Sequence, residues 1–236
     1  MRFDEGRDRG GVVEGGEGDD TVQFLDGAAT IYGNGGDDDL RANVTADDYS
    51  GSLFFGGLGD DSIGVHGNGD STVHGNLGDD VITQAGGEIL VYGNQGDDVI
   101  LQSQTTGVVY GGQGNDLIVD ADVLGSLTMV GGGGNDTFGI RVWVSQNGGD
   151  ASDIVITDFG AGDALLFDSD WDGVTMDFAM ANDMVLGVRD ETAGGDVLIS
   201  FRTTGGNTNT ITLEGVGTGA IDDFTDLVEV FNVIYS

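Results

Sequence analysis

Six residues recur seven times along this chain: Gly, then Gly or Asn, any residue, Gly, Asp or Asn, and Asp. The copies are GGEGDD from Gly15, GNGGDD from Gly33, GGLGDD from Gly56, GNLGDD from Gly75, GNQGDD from Gly93, GGQGND from Gly111 and GGGGND from Gly131. Successive first glycines lie 18, 23, 19, 18, 18 and 20 residues apart. A short period held over most of a chain marks a solenoid of stacked coils, each burying its apolar face only against its neighbours.

Aligned on the first glycine, position six is Asp in every copy: Asp20, Asp38, Asp61, Asp80, Asp98, Asp116 and Asp136. Position five is Asp19, Asp37, Asp60, Asp79, Asp97, Asn115 or Asn135. Position eight is apolar throughout, from Val22, Leu40 and Ile63 to Ile82, Ile100, Ile118 and Phe138. Apolar residues also precede the loop, as in Ile31-Tyr32, Val91-Tyr92 and Val109-Tyr110. Each repeat therefore reads strand, glycine loop, strand, turn. At a strand spacing of about 4.8 Å, seven coils make a rod roughly 34 Å long.

The loop chemistry points to a hard cation. Glycine supplies tight curvature and leaves carbonyl oxygens accessible, and Asp adds one short carboxylate per loop. Ca²⁺ takes six to eight such oxygens, so two stacked loops are needed to complete its shell. Mg²⁺ demands a stricter octahedron and keeps its waters. Zinc favours His and Cys, which the repeat lacks. The fifth-position residues are expected to hydrogen-bond within the turn or to tolerate a left-handed backbone.

The formal charge of −35, from 42 acidic and 7 basic residues, disfavours a compact state until cations neutralise it. It also excludes nucleic acid and anionic membrane as partners. Hydrophobic residues are still 38 % of the chain and recur at set repeat positions, unlike a disordered acidic segment. There is no Cys for a disulfide framework, and no Pro to break a strand ladder. No apolar run reaches the roughly 18 residues of a membrane span, so no membrane insertion is expected. MRFDEGRDRGG at the start lacks the apolar stretch of a secretory signal peptide.

GGEGDDTVQ, GNQGDDVIL and GGQGNDLIV resemble the RTX nonapeptide GGxGxDxUx, U being a large apolar residue. The resemblance implies an all-β fold: a right-handed parallel β-roll of about 18 residues per turn, with calcium held between successive loops. By the same resemblance the carboxylate ligands are the seven sixth-position Asp residues. Backbone carbonyls would come from Gly16, Gly18, Gly33, Gly35, Gly57, Gly59, Gly75, Asn76, Leu77, Gly78, Gly93, Asn94, Gln95, Gly96, Gly111, Gly112, Gln113, Gly114, Gly131 and Gly133. Seven loops enclose six gaps, so a single row of about six Ca²⁺ ions is expected. Many family members repeat the nonapeptide every nine residues and bind calcium on both edges. Here the opposite edge reads LDGAA at 25–29, AGGE at 85–88 and QTTG at 104–107, and only HGNGDS at 66–71 resembles a decayed copy. One calcium edge and one bare edge follow, with an insert near Ala46–Leu53 bulging from the bare edge.

The pattern changes near Asn147. SDIVITDFGAGDALLF from Ser152 resembles the segment after the roll in serralysin-type proteins. GGDVLISF and NTITLEGVGTGAIDDF resemble the strands that close such C-terminal domains. Strands are expected at 153–159, 164–167, 184–188, 197–201 and 210–216. The expected organisation is a lead at 1–12, the roll at 13–150, and a β-sandwich-like capping domain at 151–236 that shields the open sheet end. The resemblance also implies an uncleaved type I secretion signal in DDFTDLVEVFNVIYS, hence the type I secretion machinery as a partner and an extracellular or cell-surface location.

Asp153, Asp158 and Asp163 are candidates for a further calcium site at the roll–cap junction. His66 and His74 read as turn residues, and Trp143, Trp171 and Tyr49 as core or junction packing. HExxH and GxSxG are absent and the chain has no Lys, which removes the metalloprotease, lipase, Schiff-base and Walker-loop signatures. The expectation is a non-enzymatic, secreted, calcium-binding β-roll that folds on extracellular Ca²⁺. It would serve as a surface-layer, matrix, filament or adhesion component, with self-assembly into a homo-oligomer. The alternatives are a calcium-binding module of a larger secreted hydrolase or epimerase, or a carbohydrate-binding module.

Overall fold

The computed structural model describes residues 11–24, 28–43, 51–67, 69–103, 105–121, 125–141, 153–168, 185–190, 193–202, 208–219, 221, 225, 227–228 and 231–235. Fourteen strands come from the repeats: β1 (Gly11–Glu17), β2 (Thr21–Phe24), β3 (Ala29–Gly35), β4 (Asp39–Asn43), β5 (Ser52–Leu58), β6 (Ser62–His66), β7 (Ser71–Leu77), β8 (Val81–Ala85), β9 (Glu88–Gln95), β10 (Val99–Ser103), β11 (Thr106–Gln113), β12 (Leu117–Asp120), β13 (Leu127–Gly133) and β14 (Thr137–Arg141). Odd strands stack into one sheet and even strands into the other, all parallel. The fold is a parallel β-solenoid, as the repeat predicts.

Register follows the repeat. Val91 pairs with Val73 and Val109, and Ile100 with Ile82 and Ile118. A one-residue slip would turn every inward side chain out to solvent, so the alternation locks each coil onto the next. Two inward rows build the core. Val22, Leu40, Ile63, Ile82, Ile100, Ile118 and Phe138 form one, and Ile31, Phe54, Val73, Val91, Val109 and Met129 face them from the other sheet; all are 0 % exposed. Each such side chain contributes about 1.5–3 kcal/mol by leaving water.

Both sheets run on past residue 150. β15 (Asp153–Ile156) pairs parallel with β13, and β16 (Ala164–Asp168) with β14. Then come β17 (Val185–Asp190), β18 (Val197–Arg202), β19 (Thr208–Leu213) and β20 (Asn232–Tyr235). β19 stacks parallel on β15 and β20 on β16, while β18 and β17 close the first sheet antiparallel. The C-terminal strands are thus built onto the roll itself, their inward Ile154, Ile156, Leu165, Phe167, Ile211 and Leu213 prolonging the same core. The extra residues of the 23-residue spacing fall in sequence between β4 and β5, where the expected insert lies partly outside the described residues (44–50), as do Tyr49, Trp143 and Trp171.

Candidate metal centre

Each glycine of the hexad has its own reason to be there. Position two is left-handed in every copy, with φ of 118° at Gly16, 79° at Asn34, 125° at Gly57, 84° at Asn76, 82° at Asn94, 125° at Gly112 and 103° at Gly132. Asn is among the few side chains that visit this region at modest cost, which explains why only Gly and Asn alternate here. Position four is left-handed too, and a Cβ at Gly96 or Gly114 would strike the carbonyl of Gly78 or Gly96 in the coil before. At position one the obstruction is different. A Cβ on Gly93 would strike both Asp98 Oδ2 of its own loop and the carbonyl oxygen of Gly111 in the next.

Two ladders of side-chain-to-backbone hydrogen bonds stitch these loops, and they run in opposite senses. In the sixth-position ladder each N–H donates forward, to the carboxylate of the next coil. Asp38 N–H donates to Asp61 Oδ1 at 2.8 Å, Asp61 to Asp80 at 2.9 Å, Asp80 to Asp98 at 2.8 Å and Asp98 to Asp116 at 2.9 Å. In the fifth-position ladder each N–H donates backward. Asp60 N–H donates to Asp37 Oδ1 at 2.9 Å, Asp79 to Asp60 at 2.8 Å and Asp97 to Asp79 at 2.7 Å. The fifth-position side chains therefore bond between coils, not within the turn as their sequence suggests, and they lie exposed at the surface.

The sixth-position carboxylates are buried: Asp38 is 2 % exposed, Asp61 2 %, Asp80 0 %, Asp98 1 %, Asp116 1 % and Asp136 2 %. Their Oδ1 atoms are spent on the ladder. The Oδ2 atoms of Asp38, Asp61, Asp80, Asp98 and Asp116 are buried and receive no hydrogen bond. Burial raises the carboxyls of Asp38 and Asp136, and pushes Asp61 and Asp116 up to about 6, Asp98 to about 7 and Asp80 to about 8. The ladder N–H opposes the shift, and the neighbouring carboxylates add to it.

Opposite each of these Oδ2 atoms lies another acceptor. The Cβ position of Gly33 is crowded by Asp38 Oδ2 and Gly56 O, and the same pairing recurs at Gly56, Gly75, Gly93 and Gly111. At Gly15 the corresponding atoms lie 3.3 Å (Asp20 Oδ2) and 2.8 Å (Gly33 O) away. At Asp38, Asp61, Asp80, Asp98 and Asp116 a donorless carboxylate oxygen thus lies beside a carbonyl oxygen of the next loop, a clash that a bound cation or a proton on the carboxyl relieves. All-oxygen donors suit a hard divalent ion. Among the described residues no three or more His, Cys, Asp or Glu converge as a metal-ligating group. The donor set is one carboxylate per loop plus main chain.

The expected carbonyl ligands divide by position. The first-glycine oxygens of Gly33, Gly75, Gly93, Gly111 and Gly131 belong to the pairs just described. Third-position oxygens accept the preceding coil's fourth-position N–H, as in Gly59 to Leu77, Gly78 to Gln95 and Gly96 to Gln113, each 2.9 Å. They keep one lone pair. Second-position and fourth-position oxygens, such as those of Asn94 and Gly96, occupy the space that a Cβ on the same position one coil on would need.

Asp153, Asp158 and Asp163 do not converge. Asp153, at the opposite end of β15, accepts a bond from Thr210 Oγ1. Asp163 joins the sixth-position ladder, its Oδ1 accepting Asp136 N–H at 2.8 Å, but its Oδ2 is taken by Gly160 N–H at 2.7 Å. Asp158 stands where an eighth first glycine would, and its carboxylate accepts Gly131 N–H at 2.9 Å and Gly132 N–H at 2.7 Å. The pairing of Oδ2 with a next-coil carbonyl accordingly ends at Gly111.

His66 lies exposed at the end of β6. His74 is a strand residue, not a turn residue: it sits in a row of outward rings that sequence reading missed. Tyr32, Phe55, His74, Tyr92 and Tyr110 stack face to face at 4.9, 4.9, 4.7 and 5.0 Å between centroids, within 9° of parallel. Burial between its neighbours lowers the proton affinity of His74. The signal was in the text, since each ring immediately precedes a first glycine. Of every pre-loop pair, the first residue faces the core and the second faces out.

No family model matches the chain, and no curated protein matches it. Among solved structures, the extracellular lipase LipA of Serratia marcescens aligns over 98 % of this chain and 41 % of that one, at 17 % identity and a TM-score of 0.27. The chain thus spans less than half of that lipase, at a similarity too low to relate their activities.

Proposed function

We propose that this chain is a calcium-binding β-roll whose loops are closed by Ca²⁺, one ion in each of the six intervals between the seven hexads. One observation carries the reading: buried, donorless Oδ2 atoms face carbonyl oxygens of the next loop, coil after coil. Asp20, Asp38, Asp61, Asp80, Asp98 and Asp116 would supply the carboxylates, with the next loop's first carbonyl opposite. Calcium is preferred to magnesium because it tolerates a high and irregular oxygen count. Sites of the extracellular class bind with Kd of about 10⁻⁴–10⁻³ M, so a calcium-poor cytosol would leave them empty. The carboxylates then repel, and folding waits for export.

The wider reading is a secreted, non-enzymatic scaffold in a surface layer, matrix or adhesive assembly, exported through its C-terminal segment by a type I system. Its support is the acidic, then apolar DDFTDLVEVFNVIYS tail and the absence of recognisable catalytic motifs. A sugar-binding role finds no support in the ring row, because each inner ring has both faces turned to another ring rather than to solvent.

Far-UV circular dichroism of the full chain during a calcium titration, reversed by chelator, tests this. The expected result is a cooperative coil-to-β transition at millimolar calcium, with little response to magnesium. A chain fully folded at neutral pH in excess chelator overturns it.

A further inference from the structure

From β3 to β13 the middle of the odd-strand sheet's outer face is uncharged, with exposed Glu14 of β1 beyond one end and exposed Glu88 of β9 on one flank. One strand alternation upstream of the rings runs a second outward row, Thr30, Leu53, Thr72, Leu90, Val108 and Thr128, in register from coil to coil. Downstream runs the Gly/Asn row of position two. Across the six coils from β3 to β13, none of these three rows holds a charged side chain. An ordinary soluble surface is about 25–35 % Lys, Arg, Glu and Asp, and this molecule carries −35 overall. The face is also partly open to solvent: Tyr110 at its C-terminal end is 36 % exposed, and Leu58 and Leu77 on its loop flank 58 % and 40 %.

We infer that this face is where two copies of the chain meet, sheet against sheet, in the assembly part of the function proposed above. Charge selects the partner's face. Two molecules of this charge avoid bringing carboxylates together by meeting across surfaces that have none. Periodicity selects the partner itself. A second copy presents rows at the same strand spacing, so ridges mesh along the whole contact, and a two-fold arrangement matches the face to itself. The size sets the strength. Three rows by six coils span roughly 20 by 29 Å, about 580 Å² on each copy. Twice that is near the lower bound of about 1,200 Å² for a stable interface, so the contact is reversible. Occupied cation intervals beside the face lower the mutual repulsion and favour it.

The test is sedimentation equilibrium of the full chain in millimolar calcium chloride, from micromolar to several hundred micromolar protein, with Thr72→Glu and Thr83→Glu. Thr72 lies mid-face; Thr83 faces out from the other sheet on β8. The wild type should show a monomer–dimer equilibrium with Kd of about 10–100 µM. Thr72→Glu should weaken it at least about tenfold by placing two carboxylates at the centre of the contact, and Thr83→Glu should leave it unchanged. Circular dichroism of each variant shows that the fold is retained. A wild type that stays monomeric throughout, or equal effects of the two substitutions, overturns the inference. A chain that folds without calcium yet shows the Thr72/Thr83 contrast would sink the calcium reading and leave this one standing.

Discussion

Replacing Asp98 by Asn separates a cation ligand from a structural turn residue, because the two roles predict opposite signs. Asp98 is 1 % exposed, its Oδ1 holds Asp80 N–H at 2.8 Å, and its Oδ2 has no donor. Burial, reinforced by the charge of Asp116, pushes its carboxyl from 3.8 up to about 7. Without calcium at pH 7, keeping that carboxylate ionised costs roughly 4 kcal/mol relative to the unfolded chain. Asn keeps the shape and the Oδ1 acceptor, removes the charge, and turns an amide N–H₂ toward Gly111 O. In chelator the variant should therefore be more stable than the wild type by up to about 4 kcal/mol at pH 7, shrinking to about 1.5 kcal/mol at pH 5, where the folded wild type already holds the proton. In calcium the same change removes the charged ligand of one interval. At 1 mM calcium and a Kd of about 10⁻⁴ M that interval is worth roughly 1.4 kcal/mol, so the gain from adding calcium should fall by that amount. The fraction folded in chelator, read by circular dichroism from pH 7 down to pH 5, gives the first effect, and urea unfolding across a calcium series gives the second. A variant less stable than wild type in chelator, or one with an undiminished calcium gain, refutes the reasoning.

Protons should partly replace calcium. Asp61, Asp80, Asp98 and Asp116 have folded-state values raised to between about 6 and 8, so the folded chain binds more protons than the unfolded one down to about pH 4. Metal-free stability should then rise as pH falls from about 8 to about 4; a flat profile by circular dichroism in chelator would contradict it. Gly93→Ala should cost about 1–3 kcal/mol by urea unfolding in calcium, since its Cβ meets Asp98 Oδ2 and Gly111 O. Asn94→Gly, at φ 82°, should stay within about 1 kcal/mol of wild type. His74→Ala removes two ring contacts and should cost about 1–3 kcal/mol; thermal melts in calcium would show whether the row is coupled through it.

The roll was legible because its period is short and punctuated. Seven hexads set the number of loops, and position eight, apolar in every copy, is 0 % exposed in every copy. What the text concealed was direction. Ile31-Tyr32 and Val91-Tyr92 look alike as apolar pairs, yet strand alternation sends one member inward and the other into the ring row. The C-terminal continuation was harder to see because DFGAGD lacks the glycine pattern. Its inward alternation, Ile154 with Ile156 and Leu165 with Phe167, still adds a coil, and Asp163 still takes its place in the carboxylate ladder. The fifth-position ladder was hidden for another reason. Bonding within a turn and bonding to the next coil require the same residue types, and only stacking tells them apart.

The opposed ladders bear on how such a rod responds to ions. If sixth-position Asp side chains alone linked the coils, losing one would free the coil on one side only. The fifth-position ladder runs the other way, so an interior coil is held by its own side chains to the coil before and to the coil after. Disordering one loop therefore strips hydrogen bonds from both neighbours at once, and each buried sixth-position N–H left unpaired costs about 1–3 kcal/mol. The ring row adds a third link on the outer face. A cation between two loops then stabilises more than its own interval, because it fixes rungs that the adjoining intervals also need. In a nearest-neighbour system of this kind a strong coupling term makes the coils order together, so calcium should be taken up as a group over a narrow concentration range even though each interval alone is a weak site.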